Sequence, residues 1–172
     1  MRYLPNGKQM SEADAHTIHK IGIPSLVLME RAALQIVETM HKKNISTEKS
    51  LIVCGSGNNG GDGFAVARLL TEQGKHADVL FAGKEASLSE ECRCQKQIVE
   101  NMGISVFTEF PDEEYTVIID AVFGVGLCRE ITGHYKDVID WMNLQDTEKV
   151  AVDIPSGICA ATGEILGTAF RA

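Results

Sequence analysis

Ser50-Leu51-Ile52-Val53-Cys54-Gly55-Ser56-Gly57-Asn58-Asn59-Gly60-Gly61-Asp62-Gly63 decides how the rest of the chain is read. A short continuous apolar run that stops at a glycine cluster has the form of a fully buried parallel strand. The glycine turn, residues 55–63, leads into Phe64–Gln73, which reads as a helix with Ala65, Ala67, Leu69 and Leu70, closed by Gly74. His76–Phe81 is then the next strand, completing one βαβ unit. Downstream the alternation continues: a polar-faced helix over Ser87–Met102 ended by Gly103, strands over Ile104–Thr108 and Thr116–Asp120, a helix over Gly133–Met142 and a last strand over Lys149–Asp153. Upstream, Ser11 followed by Glu12 and Asp14 predicts a helix N-cap and a segment to about Lys20, stopped by Gly22. Pro24 starts a second helix, with Leu26, Met29, Ala33, Ile36 or Val37, and Met40 at three- and four-residue steps as its core stripe. The expectation is an α/β, Rossmann-like open and mostly parallel sheet with helices on both faces and two N-terminal helices. Its ligand belongs beyond the C-terminal strand ends, near three loops: Gly55–Gly63, Asp120–Gly126 and Asp153–Gly157.

The chain of 172 residues, 44% hydrophobic and 23% charged with four prolines, suits one folded domain rather than a disordered or collagen-like polymer. Its net charge of −8 and scattered basic residues argue against a nucleic-acid partner and against an anionic membrane surface. Ile21–Met29, the longest nearly uncharged apolar stretch, is half a bilayer span and contains Pro24, so no transmembrane helix is expected. The N-terminus lacks the apolar region of a secretory signal, and five cysteines without framework spacing suit free thiols in a cytoplasmic protein.

Gly55-Ser56-Gly57-Asn58-Asn59-Gly60 satisfies the G-x-G-x-x-G pattern, with Asp78 at the end of the second strand as a candidate ribose ligand. The same glycines could serve a tight turn with no ligand at all. Asn58, Asn59 and Asp62, however, add more polar functionality than a simple turn or a pyrophosphate-binding turn needs. Asp62 near a helix start suits ordering of a ribose or cation site better than phosphate contact. Asp120 and Asp153 each close an apolar run, and two such carboxylates beside the crevice of Asn59 are harder to dismiss as loop caps than one. His16 and His19 have no third ligand indicated, Cys92 and Cys94 point to nearly opposite sides of their helix, and Cys54 and Cys128 have no neighbouring His to activate them.

NNGGDG (58–63), DAVFGVG (120–126) and DIPSG (153–157) followed by ATGE (161–164), together with LMERA (28–32) in the opening helices, resemble the YjeF N-terminal domain family over essentially the whole chain. That family has a Rossmann-like domain and catalyses NAD(P)H-hydrate epimerisation, an isomerase activity in cofactor repair that interconverts the R and S forms of hydrated NADH or NADPH. The resemblance implies an ADP- or ATP-dependent NAD(P)H-hydrate dehydratase, fused or separate, as partner, and it allows a homo-oligomer. It also implies that Asn58, Asn59, Gly60, Gly61 and Asp62, together with Gly124, Val125, Gly126, Leu127, Cys128, Arg129 and Glu130, contact the hydrated dinucleotide. The resemblance further implies that Asp153 binds it at the reacting end, and that Asn59, Asp120 and Ser156 ligate a potassium ion. Oxygen donors of this kind suit a hard cation rather than zinc. Asp153 is the candidate acid/base group. Cys159 stands where the family usually has an acidic residue, so it carries no role. Family members continue past Arg171-Ala172 with a further strand and a Lys-Pro-Gly loop, so residues 1–172 are expected to be one such domain, truncated at its C-terminal end.

Two other functions compete. An NAD-dependent oxidoreductase would use the glycine turn conventionally, and a non-catalytic binding or scaffold module would use neither the asparagines nor the carboxylates.

Overall fold

The computed structural model of the protein describes residues 7–172. In chain order its elements are α1 (Gly7–His16), a π-helical segment (Thr17–Ile21), α2 (Ser25–Lys42), β1 (Lys49–Cys54), α3 (Asn58–Glu72), β2 (His76–Phe81), a 3-10 turn (Glu85–Ser87), α4 (Glu90–Asn101), β3 (Val106–Phe107), β4 (Val117–Ala121), α5 (His134–Leu144) and β5 (Glu148–Ala151). The five strands form one sheet in the order β3-β2-β1-β4-β5, and every pairing is parallel.

The apolar runs of β1 and β4 have no polar face because helices cover both sides of the sheet. Side chains alternate between the faces. Ile52, Cys54, Val79, Phe81, Ile119 and Ala121 pack against Ala33, Val37 and Met40 of α2, Phe64 and Leu70 of α3, and Cys92 and Val99 of α4. On the other face Leu51, Val53, Leu80 and Ile118 meet Val138, Ile139 and Met142 of α5, with Leu127, Ile131 and Phe170 completing that core. Chain order runs outward from β1 to β2 and β3, then returns to β4 on β1's other side. The strand order thus reverses between β1 and β4, and the crevice beyond their C-terminal ends is the place for a ligand.

Several boundaries differ from the sequence expectation. The largest difference is at α3, which begins at Asn58 rather than Phe64. Glycines that read as loop are the opening turns of the helix, and their missing side chains let it lie on the sheet. A Cβ on Gly60 would stand 2.0 Å from the Gly55 carbonyl oxygen, and one on Gly63 would stand 2.5 Å from the Ala121 Cβ and 2.8 Å from the Cys54 sulfur. At the N-terminus α1 already runs from Gly7, so Ser11 is an interior helical residue and not the cap. In α2 Val37 rather than Ile36 is fully buried, and Leu26 lies on the exposed side. Helix α4 starts later than Ser87, at Glu90, because the Ser89 hydroxyl accepts the Cys92 N–H at 3.2 Å and caps it there. The strand expected over Ile104–Thr108 pairs only at Val106 and Phe107, and β5 ends at Ala151, two residues before Asp153.

Candidate active site

Asp120 lies in β4 with its side chain buried, where it organises two loops at once. Its Oδ1 accepts the Val122 N–H at 3.1 Å and the Ser156 hydroxyl at 2.6 Å, while Oδ2 accepts the Ser156 N–H at 2.7 Å. The Phe123 N–H in turn donates to the Ser156 Oγ at 2.8 Å. Burial pushes the Asp120 carboxyl up to about 6 against the opposing pull of the Ser156 hydroxyl and the Ser156 and Val122 N–H groups. Among the described residues no basic side chain pairs with it.

Asp153 is exposed, and the same loop holds it. The Val125 N–H donates to its Oδ2 at 2.9 Å. The carboxylate fits closely over Gly124, where a Cβ would stand 2.6 Å from that oxygen and 3.4 Å from Asn59 Cγ and Oδ1. Gly124 therefore lacks a side chain because Asp153 and Asn59 meet above it. Asn59 itself opens α3, and its Nδ2 is buried without a hydrogen-bond partner. The two ends of an amide are assigned from their hydrogen bonds, so the unpartnered position serves equally for the amide oxygen. Asp120 and Ser156 are in hydrogen-bond contact and offer carboxylate and hydroxyl oxygens, and Asn59, beside Asp153, offers an unpartnered amide; donors of these kinds are chemically suited to a hard cation. No cluster of three or more His, Cys, Asp or Glu side chains placed for a metal occurs among the described residues.

Asp62 stands in the second turn of α3, and burial, with Asp153 and then Asp14 adding like charge, pushes it up to about 7. Helix α1 lies over this end of the site. A Cβ on Gly7 would touch the Val125 Cβ at 3.5 Å, and Asp14 reaches Asp62 electrostatically.

The other sequence candidates divide by orientation. Asn58 is exposed at the start of α3, whereas Gly60 and Gly61 are buried against Gly55 and against Met29 and Cys92. Only their backbone could meet a ligand. Val125, Gly126, Cys128, Arg129 and Glu130 are exposed in the loop after β4, but Leu127 turns into the second core. Asp78 is not at the end of its strand. It is buried in the N-terminal half of β2, with His76 Nε2 2.9 Å away and the Tyr115 hydroxyl donating at 3.1 Å. Backbone donors such as the Val125 and Phe123 N–H groups carry no signature in the sequence. Asp14 could be found only by knowing where α1 lies. Of the cysteines, Cys54 and Cys92 are buried, with burial pushing Cys54 well up and Cys92 to about 12. No helix among the described residues is long and apolar enough to cross a membrane.

In Limosilactobacillus reuteri a protein named NAD(P)H-hydrate epimerase is 45% identical over 171 residues, covering 98% of this chain and 81% of the relative. In Oenococcus oeni a protein of the same name is 43% identical over 169 residues, covering 97% of this chain and 80% of its own length. The crystal structure of the yeast protein YNL200c superimposes with a TM-score of 0.84 over 98% of this chain and 77% of that one, and at 20% identity it speaks for the fold. The family model described as YjeF-related protein N-terminus matches residues 25–172, and the chain belongs to that family.

Proposed function

We propose that the protein is an isomerase that interconverts the R and S forms of hydrated NADH and NADPH at the hydroxyl-bearing nicotinamide carbon. The observation that carries this reading is near-full-length identity of 43–45% to proteins named NAD(P)H-hydrate epimerase. The carboxylates at the strand-order reversal support it. A conventional NAD-dependent dehydrogenase fits less well, because Asp78 lies inside β2 and is occupied by His76 and Tyr115.

The hydrated carbon is bonded to the ring nitrogen. Protonation of its hydroxyl lets the oxygen depart as water with the C–O electron pair, while the nitrogen lone pair forms a C=N bond. Water then adds to the opposite face and loses a proton, so the hydrate returns with the other configuration and no redox change. Asp153 is placed for this proton transfer. It is exposed, and the Val125 N–H holds one of its oxygens, which leaves the other for the substrate. The opening turn of α3, from Asn58 to Asp62, and the loop from Gly124 to Glu130 contact the dinucleotide, with helix N–H groups suited to its phosphates. Asn59, Asp120 and Ser156 would hold a potassium ion, which when bound supplies a fixed positive charge and orders the loops. The S form passes to an ADP- or ATP-dependent dehydratase, and the cytoplasm is where such repair is needed.

Chiral separation of the hydrates after incubation of either epimer, without ADP or ATP, tests the assignment. Both epimers should approach one equilibrium mixture faster than in buffer. A rate equal to that of buffer alone would refute the reading.

A further inference from the structure

We infer that Lys84, just past the C-terminal end of β2, sets substrate specificity by receiving the 2′-phosphate of hydrated NADPH, so that this form is preferred over hydrated NADH; the inference rests on the epimerase reading. In the sheet order β2 and β4 lie on opposite sides of β1. Asp153, the candidate reacting group, follows β5 and is held by the loop after β4, whereas the helix N-terminus suited to the pyrophosphate is that of α3, which follows β1. A dinucleotide with its nicotinamide at Asp153 and its pyrophosphate on α3 therefore carries its second nucleoside over the end of β2. A ribose at that place in such a sheet meets either a carboxylate, which accepts from the 2′-hydroxyl, or a cation, which accommodates the 2′-phosphate.

Beyond Phe81, the last residue of β2, the chain runs Ala82-Gly83-Lys84-Glu85. The acid of that strand, Asp78, is buried nearer its other end and is engaged with His76 and Tyr115. Glu85 is drawn to α4, where its Oε1 pairs with Lys96 Nζ at 2.8 Å. Lys84 is exposed, and among the described residues no carboxylate pairs with its ammonium group. Its backbone is tied to the glycine turn that opens the site. Ser56 Oγ accepts the Lys84 N–H at 2.8 Å and donates to the Lys84 carbonyl at 3.3 Å. A Cβ on Gly83 would stand 2.4 Å from that Oγ and 2.8 Å from the Ser56 nitrogen, so the two loops approach this closely only because residue 83 is glycine. The turn thereby fixes where the lysine stem starts, and a compact ammonium on a long flexible stem suits a phosphate as a point charge. The crevice is acidic on the β4 side, at Asp120 and Asp153, and cationic on the β2 side, which matches a substrate whose extra phosphate sits at its adenosine end.

The test measures kcat and KM for the R epimers of hydrated NADH and hydrated NADPH in the native protein, Lys84→Met and Lys84→Glu. Calorimetry on the same three proteins compares the binding of ADP-ribose with that of 2′-phospho-ADP-ribose. The native protein should favour the NADPH hydrate by about 3- to 5-fold in kcat/KM, through KM, and should bind the 2′-phosphorylated ligand tighter by a similar factor, the size of one exposed ion pair. Raising ionic strength with choline chloride at fixed potassium should shrink both ratios. Lys84→Met should bring both ratios close to one and Lys84→Glu should invert them, while the values for the NADH hydrate and for ADP-ribose move far less. Equal kcat/KM for the two hydrates in the native protein overturns the role of Lys84, and so does a preference that survives in Lys84→Glu. A loss falling equally on both hydrates overturns it as well, because a lysine that merely supports the loop would act on both. Failure of the native protein to epimerise either hydrate overturns the functional reading, and the calorimetric ratio then still decides whether Lys84 receives the phosphate.

Discussion

Asp78 and the carboxyl groups at the strand-order reversal occupy opposite ends of one sheet and are treated in opposite ways. Toward the N-terminal ends, Asp78 is buried between the His76 ring nitrogen 2.9 Å away and a tyrosine hydroxyl that donates to it. Toward the C-terminal ends, Asp120 is held by backbone N–H groups and a serine hydroxyl, and Asp153 by the Val125 N–H, with no base pairing to either among the described residues. Buried charge is ordinarily paired. Where one end of a fold satisfies this rule and the other leaves it open, the open end is the one prepared for a ligand.

The largest expected effect that sharpens this contrast is at Asp153. Asp153→Asn keeps the shape and the Val125 contact through its amide oxygen but cannot exchange a proton, so kcat should fall about 10² to 10⁴-fold with the melting temperature nearly unchanged. Near-native turnover in the chiral assay would take Asp153 out of the chemistry. Gly124→Ala probes the same group without touching it. Its Cβ would stand 2.6 Å from Asp153 Oδ2, so the carboxylate must shift, and displacement of a reacting group by about 1 Å can cost about 10²-fold. If Gly124→Ala kept the native rate, the position of that oxygen would be irrelevant to catalysis.

The next effect is on stability. If a potassium ion joins Asn59, Asp120 and Ser156, it binds the folded state alone and raises the melting temperature with its concentration. The gain is about 2.7 kcal/mol at 100 times Kd, or several degrees for a chain of this size. Melts in potassium against a large organic cation at equal ionic strength measure it. Asp120→Ala should abolish the difference, and it should also lower stability by about 1 to 3 kcal/mol because the Ser156 and Val122 N–H groups lose their acceptor. Identical melts of the native protein in both salts would argue that the Asp120 cluster is complete without a cation.

The fold was legible wherever period and punctuation agreed. The run Leu51–Cys54 and the helix stop at Gly74 gave β1 and α3 their places, and His76–Phe81 stands in β2 as expected. The start of α3 was not legible, because glycine propensity signals a loop while close packing on Gly55 and Ala121 requires glycine inside a helix. Of the candidate site, Asp120 and Asp153 stood out as carboxylates closing apolar runs and Asn59 as a polar residue in a glycine turn, whereas Ser156 entered only through the family resemblance. The Val125 N–H that holds Asp153 did not stand out, since which backbone N–H reaches which oxygen is set by the loop's path and not by residue type. Asp78 misled for a related reason: a carboxylate in an apolar run looks the same at position three of a strand as at its end.

Tyr115→Phe gives the smallest effect and tests the closed end of the sheet. It removes the hydroxyl that donates to Asp78 at 3.1 Å and keeps the ring over which Lys49 Nζ lies at 5.2 Å. Burial and the neighbouring Asp78 push that phenol well up, so it stays a donor across the working pH range. A hydrogen bond to a buried charged group contributes about 1.5 to 3 kcal/mol, and His76, more than half exposed, can turn toward Asp78 and offset part of the loss. The melting temperature should therefore drop by a few degrees at most. Epimerisation measured well below that melt should be unchanged, because nothing at this end reaches the crevice between β1 and β4. A fall in kcat without a fall in stability would mean that Asp78 serves the reaction and that the two ends are not separate in role.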